Sequence, residues 1–152
     1  MSLSATDTAS PLETYRCMQK ALLAEESATL LPAELLADDV VVETPFSPPG
    51  MRRHEGREAW LTFYQARPLP FRFEQFRELA TYHTHDPEVI VVEYELTGTV
   101  TTTGRQGSAT FISVLRVCGG YITHWREYQD VLGISEALKL PPEDLGNAYP
   151  PA

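Results

Sequence analysis

Cysteine is scarce: the 152 residues include only Cys17 and Cys118, too few and too far apart for a disulfide framework or a thiolate metal site. No hydrophobic run approaches the ~20 residues of a membrane-spanning helix. The opening stretch, Met1 to Ser10, lacks the cationic region and apolar core of a secretion signal. The expectation is a soluble, cytoplasmic protein. Positive charge is also short: 12 Lys and Arg against 21 Asp and Glu leave a formal net charge of -9. That balance opposes attraction to phosphates, so neither nucleic acid nor an anionic membrane is an expected partner. Internal repeats and low-complexity interior segments are absent too, which excludes solenoid architectures.

What remains is one domain's worth of ordinary globular chain, 43% hydrophobic and 22% charged. A chain of this size buries roughly two-thirds of its unfolded surface without staples. The expected domain runs from 8 to 140, with residues 1–7 and the proline-rich 141–152 as loosely held tails.

Three helices are expected before the main run of strands. Ser10-Pro11-Leu12-Glu13 carries a cap, a first-turn proline and the glutamate of a capping box. Leu12, Tyr15, Met18 and Leu22 then form an apolar stripe that turns Tyr15 inward. A short second helix is expected over Leu31 to Ala37, ended by Asp38-Asp39. The third opens at Arg57 and presents Ala59, Trp60, Phe63, Tyr64 and Arg67 until Pro68 and Pro70 stop it.

Between the last two helices, Val40 to Thr44 is β-branched and reads as a strand, followed by an irregular loop from Pro45 to Gly56 that could cover a cavity mouth. From Phe71 the pattern becomes a four-strand antiparallel meander: 71–82 with a bulge before Leu79, then Val89–Val100, Ala109–Val117 and 121–130. His83-Thr84-His85-Asp86-Pro87 is a hairpin loop rather than a metal cluster, because Asp-Pro marks a turn and no further ligand spacing accompanies it. Ile90, Val92, Tyr94 and Leu96 share one face, as do Ala109, Phe111, Ser113, Leu115 and Val117.

The last strand leaves the Gly119-Gly120 turn and, at period two, places Tyr121, Thr123, Trp125, Glu127 and Gln129 on one face. A carboxylate beside an indole and away from water has its charged form disfavoured. That is how a glutamate becomes an acid or base near neutral pH. The same segment also admits a salt-bridged structural glutamate, flanked as it is by His124, Arg126 and Tyr128.

Three segments, Leu36-Ala37-Asp38-Asp39-Val40, Glu55-Gly56-Arg57-Glu58-Ala59 and Gly120 through Tyr128, together resemble the SnoaL-like proteins of the nuclear transport factor 2 superfamily. The resemblance implies an α+β conical barrel, three N-terminal helices packed on a curved, mainly antiparallel sheet, and homodimers formed through the sheet's outer face. It does not settle activity, since the superfamily holds ketosteroid isomerases, polyketide cyclases, epoxide hydrolases, phenazine-biosynthesis proteins and binding modules. The ketosteroid isomerase set is missing: its base and its protonated aspartate fall at Thr44 and Ser113, and its tyrosine near Met18, one turn after Tyr15. No Asp-Arg-Asp set of the epoxide hydrolases can be placed on inward faces. The acid/base glutamate of phenazine-biosynthesis proteins aligns with Glu127, while the helical histidine of that group falls at Phe63.

The resulting expectation is a cofactor-independent, metal-free protein that binds a small hydrophobic, cyclic molecule. Glu127 would move a proton in an isomerisation, cyclisation or condensation. Tyr15, Phe63, Tyr94, Phe111, Ser113, Leu115 and Trp125 form the expected pocket, under a cover from Phe46 to Met51. The alternative is a non-catalytic module of the same fold, either sequestering a ligand or using an outer face that includes Val91 and Ile112 to recruit a partner chain.

Overall fold

A computed structural model describes residues 9–24, 31–48, 50–65 and 71–144. Helix α1, Pro11–Leu23, starts as its sequence dictates: Ser10 accepts from the Glu13 backbone, and the Glu13 carboxylate accepts from Ser10 N–H at 2.8 Å. Tyr15, Met18 and Leu22 on its apolar stripe are all buried. The segment expected as a second helix does not become one. Only a single 3-10 turn forms, Ala33–Leu35, and the chain is extended from Leu36 onwards. Strand pairing outweighs the local helical preference there, because Leu36 and Val40 to Glu43 lie against the last strand and a neighbouring short strand.

Strand β1 is Leu36–Thr44 and β2 is Arg52–Glu55, so part of the expected irregular loop is a strand. Helix α2, Arg57–Gln65, follows; the stop expected at Pro68 and Pro70 lies outside the described residues, as do residues 1–7 and most of the expected C-terminal tail. The meander is β3 (Phe71–His83), β4 (Val89–Val100), β5 (Gln106–Cys118) and β6 (Tyr121–Gln129). Bulges interrupt β3 after Phe73 and again after Glu78, the second close to where the apolar phase shifts in the sequence.

Six strands make one mixed sheet in the order β2-β1-β6-β5-β4-β3, with β1 parallel to β6 and every other pair antiparallel. Among the described residues the edges β2 and β3 do not pair with each other, so the sheet is open rather than a closed barrel. The expected three N-terminal helices are also corrected. Among the described residues two α-helices precede the meander, and the third, α3 at Val131–Leu138, follows it. Asp130 follows β6 and caps α3 by accepting from Gly133 N–H at 2.9 Å. Helix α3 packs on β5 where Gly107 has no side chain; a Cβ there would stand 2.6 Å from Ala137 Cβ.

Along β4 burial alternates without a break from Val89 to Val100, and Phe111, Ser113, Leu115 and Val117 of β5 continue the same face. In β6 the alternation slips by one. The register shifts between Arg116 and Val117, which turns Ile122 inward together with Trp125 and Glu127 and leaves Tyr121 exposed. Strict period two from the turn put Tyr121 inside; the extra residue near Thr123 explains the difference. Among the described residues no helix is long and apolar enough to cross a membrane.

Candidate functional site

The inner face of the sheet, with α1, α2 and α3 around it, forms a cavity of about 80 Å³. One water needs about 10–15 Å³, so the space has room for more than a lone solvent molecule. Met18 and Leu22 of α1, Trp60 of α2 and Ile134 of α3 wall its helical side. Phe73 and Phe76 of β3, Tyr94 of β4, Phe111 of β5 and Trp125 and Glu127 of β6 wall its sheet side.

Glu127 is 8% exposed and is the only ionisable carboxyl on this wall among the described residues. Its position follows from the register. Ser113 stands opposite it on β5, and Tyr94 lies one strand further, opposite Phe111. The small Ser113 side chain leaves room for the Tyr94 hydroxyl to reach across β5. Tyr94 donates a hydrogen bond to Glu127 Oε2, and its oxygen lies 3.2 Å from Ser113 Oγ, whose hydroxyl hydrogen is therefore free to point at Tyr94. Glu127 Oε1 accepts a long bond from Gln129 Nε2, at 3.5 Å, and Ser47 Oγ donates to Gln129 Oε1 at the same distance.

Burial raises the Glu127 carboxyl above the ordinary range, and the hydrogen bonds with Tyr94, Gln129, Trp125 and Ser113 offset only part of that rise. Burial and the neighbouring Glu127 likewise push the Tyr94 hydroxyl well up, so it remains a neutral donor. No Arg, Lys or His lines the cavity among the described residues. A group that exchanges a proton and a fixed neutral donor beside it can serve proton transfer at a carbonyl or imine.

Four of the residues singled out from sequence, Tyr94, Phe111, Trp125 and Glu127, lie on the cavity wall. The other four lie behind or beside it. Ser113, fully buried, supports Tyr94 from beneath. Tyr15 is fully buried with its ring 5.7 Å from Phe76 and 6.1 Å from Tyr94. Leu115 pairs with Trp125 on the neighbouring strand and fills the core. Phe63 faces β2, with its ring 4.6 Å from His54 and 5.8 Å from the Arg52 guanidinium.

The expected cover divides: Phe46 packs edge-on against Tyr128 at 5.2 Å, while Ser47 reaches Gln129. Sequence reasoning missed α3 and the walls it supplies, Ile134 and Ala137. Their signal was present in Asp130 as a cap followed by Val131, Ile134, Ala137 and Leu138 at helical spacing. It also missed Gln129 and the β3 phenylalanines as wall residues.

Comparison with known proteins agrees with this architecture. A PhzA/B-like protein of Pseudomonas aeruginosa is 32% identical over 106 residues, 69% of this chain and 74% of that protein. The protein YesE of Bacillus subtilis is 29% identical over 106 residues, 69% of this chain and 72% of that protein. A crystal structure from Bacillus subtilis, described as a candidate isomerase, superposes with a TM-score of 0.71 at 26% identity, covering 85% of this chain and 92% of the other. The SnoaL-like domain profile matches residues 20–125, and with an α+β sheet of this topology the chain belongs to the SnoaL-like family of the nuclear transport factor 2-like superfamily.

Proposed function

We propose that this protein binds a small hydrophobic, cyclic metabolite in the inner cavity and that Glu127 moves a proton on it, in an isomerisation, cyclisation or condensation that needs no cofactor. The observation that carries the reading is the state of Glu127: a carboxyl buried on an aromatic wall, held by Tyr94, with burial raising its proton affinity. The candidate-isomerase description of the B. subtilis structure is consistent with that chemistry. Tyr94 donates to the carboxylate once the proton has left, and the rings of Phe111 and Trp125 hold the ligand's apolar body.

The protein is further proposed to act as a cytoplasmic homodimer through the outer sheet face, where Ile112 is 41% and Tyr82 58% exposed. A native mass of one chain would remove that part of the proposal. The chemistry is tested by incubating the protein with cyclic ketones in D2O and following exchange of the hydrogens next to the carbonyl. Wild type should accelerate exchange, and Glu127→Gln should lose about 10²–10⁴-fold of that acceleration. Ligands that bind both proteins unchanged would support the second reading, a non-catalytic binding module, which the bond between Tyr94 and Glu127 also favours because it satisfies one oxygen of the carboxyl.

A further inference from the structure

The make-up of the cavity wall narrows the ligand class. Glu127 is the only carboxyl there among the described residues, no basic side chain accompanies it, and rings from Trp60, Phe73, Phe76, Phe111 and Trp125 make up much of the rest. An anionic ligand would meet a carboxyl with no compensating charge. A neutral ligand would leave the carboxyl with neutral hydrogen-bond partners alone, those of Tyr94, Gln129, Trp125 and Ser113. A buried carboxylate is stabilised most strongly by a paired cation. For the other buried glutamate of this sheet, Glu43, the protein supplies Arg53, Arg126 and His124. Among the described residues it supplies none for Glu127. The net charge of -9 also favours the approach of cations over anions.

We propose that the cavity takes a small cyclic amine in its protonated form, with the ligand N–H donating to Glu127 Oε1 and the ring packed among Phe76, Phe111 and Trp125. This rests on the reading that the cavity binds a ligand and names the class of that ligand. The ammonium gains a charge-assisted hydrogen bond and the electron-rich faces of nearby rings, an arrangement that neutral isosteres cannot use. The groups facing Glu127 are Tyr94 from β4, Ser113 from β5 and Trp125 and Gln129 from β6, with Tyr15 of α1 beyond Tyr94. None is cationic, and burial keeps both tyrosines neutral. The protonation balance is simple. An ammonium docking on the protonated carboxyl displaces one proton to solvent, while an ammonium docking on the carboxylate displaces none.

The test is calorimetric titration of the full chain with cyclohexylamine, cyclohexanone and cyclohexanecarboxylate, in buffers of differing ionisation enthalpy from about pH 8 to about pH 5. The amine should bind at least tenfold tighter than the ketone, with no detectable carboxylate binding. Protons released per amine should rise towards one as the pH falls, and the ketone should release none. In Glu127→Gln the preference and the proton release should vanish while ketone affinity holds. If the variant does not fold, the amine-to-ketone ratio and the proton count of wild type decide alone. A ketone that binds as tightly as the amine, or amine binding without proton release at any pH, overturns the amine assignment and leaves the ligand cavity standing. If none of the three binds at millimolar concentration, the cavity reading fails and the amine assignment falls with it.

Discussion

Glu43 and Glu127 are 3% and 8% exposed, on neighbouring parallel strands of one sheet, and the sheet treats them in opposite ways. On the outer face, Glu43 is covered by its own partners: His124 Nε2 at 2.5 Å, Arg53 at 3.1 Å and Arg126 at 3.2 Å. Those partners are themselves roughly two-fifths exposed, so the carboxylate is shielded by half-exposed Arg and His side chains rather than by core. Burial works against its charge, but the hydrogen bonds from His124 and Arg126 outweigh it and hold the carboxyl below the ordinary range. On the inner face, Glu127 has a tyrosine and an amide for partners, and burial wins. Low exposure therefore says little about what a carboxylate does; the charge of its neighbours separates a structural ion pair from a proton-exchanging group.

The comparison breaks first on activity. Glu127→Gln is expected to abolish about 10²–10⁴-fold of proton-transfer rate, and Glu43→Gln, on the opposite face, to change it less than about threefold, measured as deuterium exchange into the bound ligand. Comparable losses in both variants would deny the two carboxylates separate roles. A smaller effect is expected from Tyr94→Phe. The lost hydrogen bond stabilised the ionised form of Glu127, so the low-pH limb of the rate against pH, where Glu127 loses its proton to act as base, should move to higher pH. A downward move would reverse the assigned role of Tyr94.

Stability gives the smallest and most diagnostic contrast. Glu43→Gln should cost about 1–2 kcal/mol in urea unfolding at neutral pH, a figure held down by the solvent exposure of its partners, and the cost should shrink in about 1 M NaCl. The signs with pH are opposite. Glu43 is lowered from 4.5, so its stabilisation is present above that value and lost as pH falls through the folded-state pKa. Glu127 is raised from 4.5, so its folded state favours the proton and a penalty develops as pH rises from there through the folded-state pKa. Glu127→Gln should therefore gain stability relative to wild type as the pH rises above about 4.5, and Glu43→Gln should lose it.

Much of this was legible in the residues. The alternation in Val89–Val100, the capping box at Ser10 and the Gly119-Gly120 turn each carry a local signal that the structure repeats. The elements that sequence misplaced depend on contacts distant in the chain. Leu36 to Asp39 is extended because β1 joins a sheet whose partner strand comes some eighty residues later, and Ile122 faces inward because of a bulge that only pairing with β5 defines. At the site, Glu127 and Trp125 announced themselves as neighbours on one strand. That Tyr94 would reach Glu127 across β5 required the register of three strands and a small Ser113 between them. The outward Glu43 cluster gave no such notice, because its four members come from three separate segments.

The most direct measurement is a pH titration of the glutamate side-chain carboxyl carbons by NMR, with Glu43→Gln and Glu127→Gln used to assign the two signals. Glu127 is expected to titrate above the ordinary glutamate value of about 4.3 and Glu43 below it. A Glu127 signal titrating at or below that value would contradict the proton-exchanging role assigned to it and leave the inner face a binding surface alone.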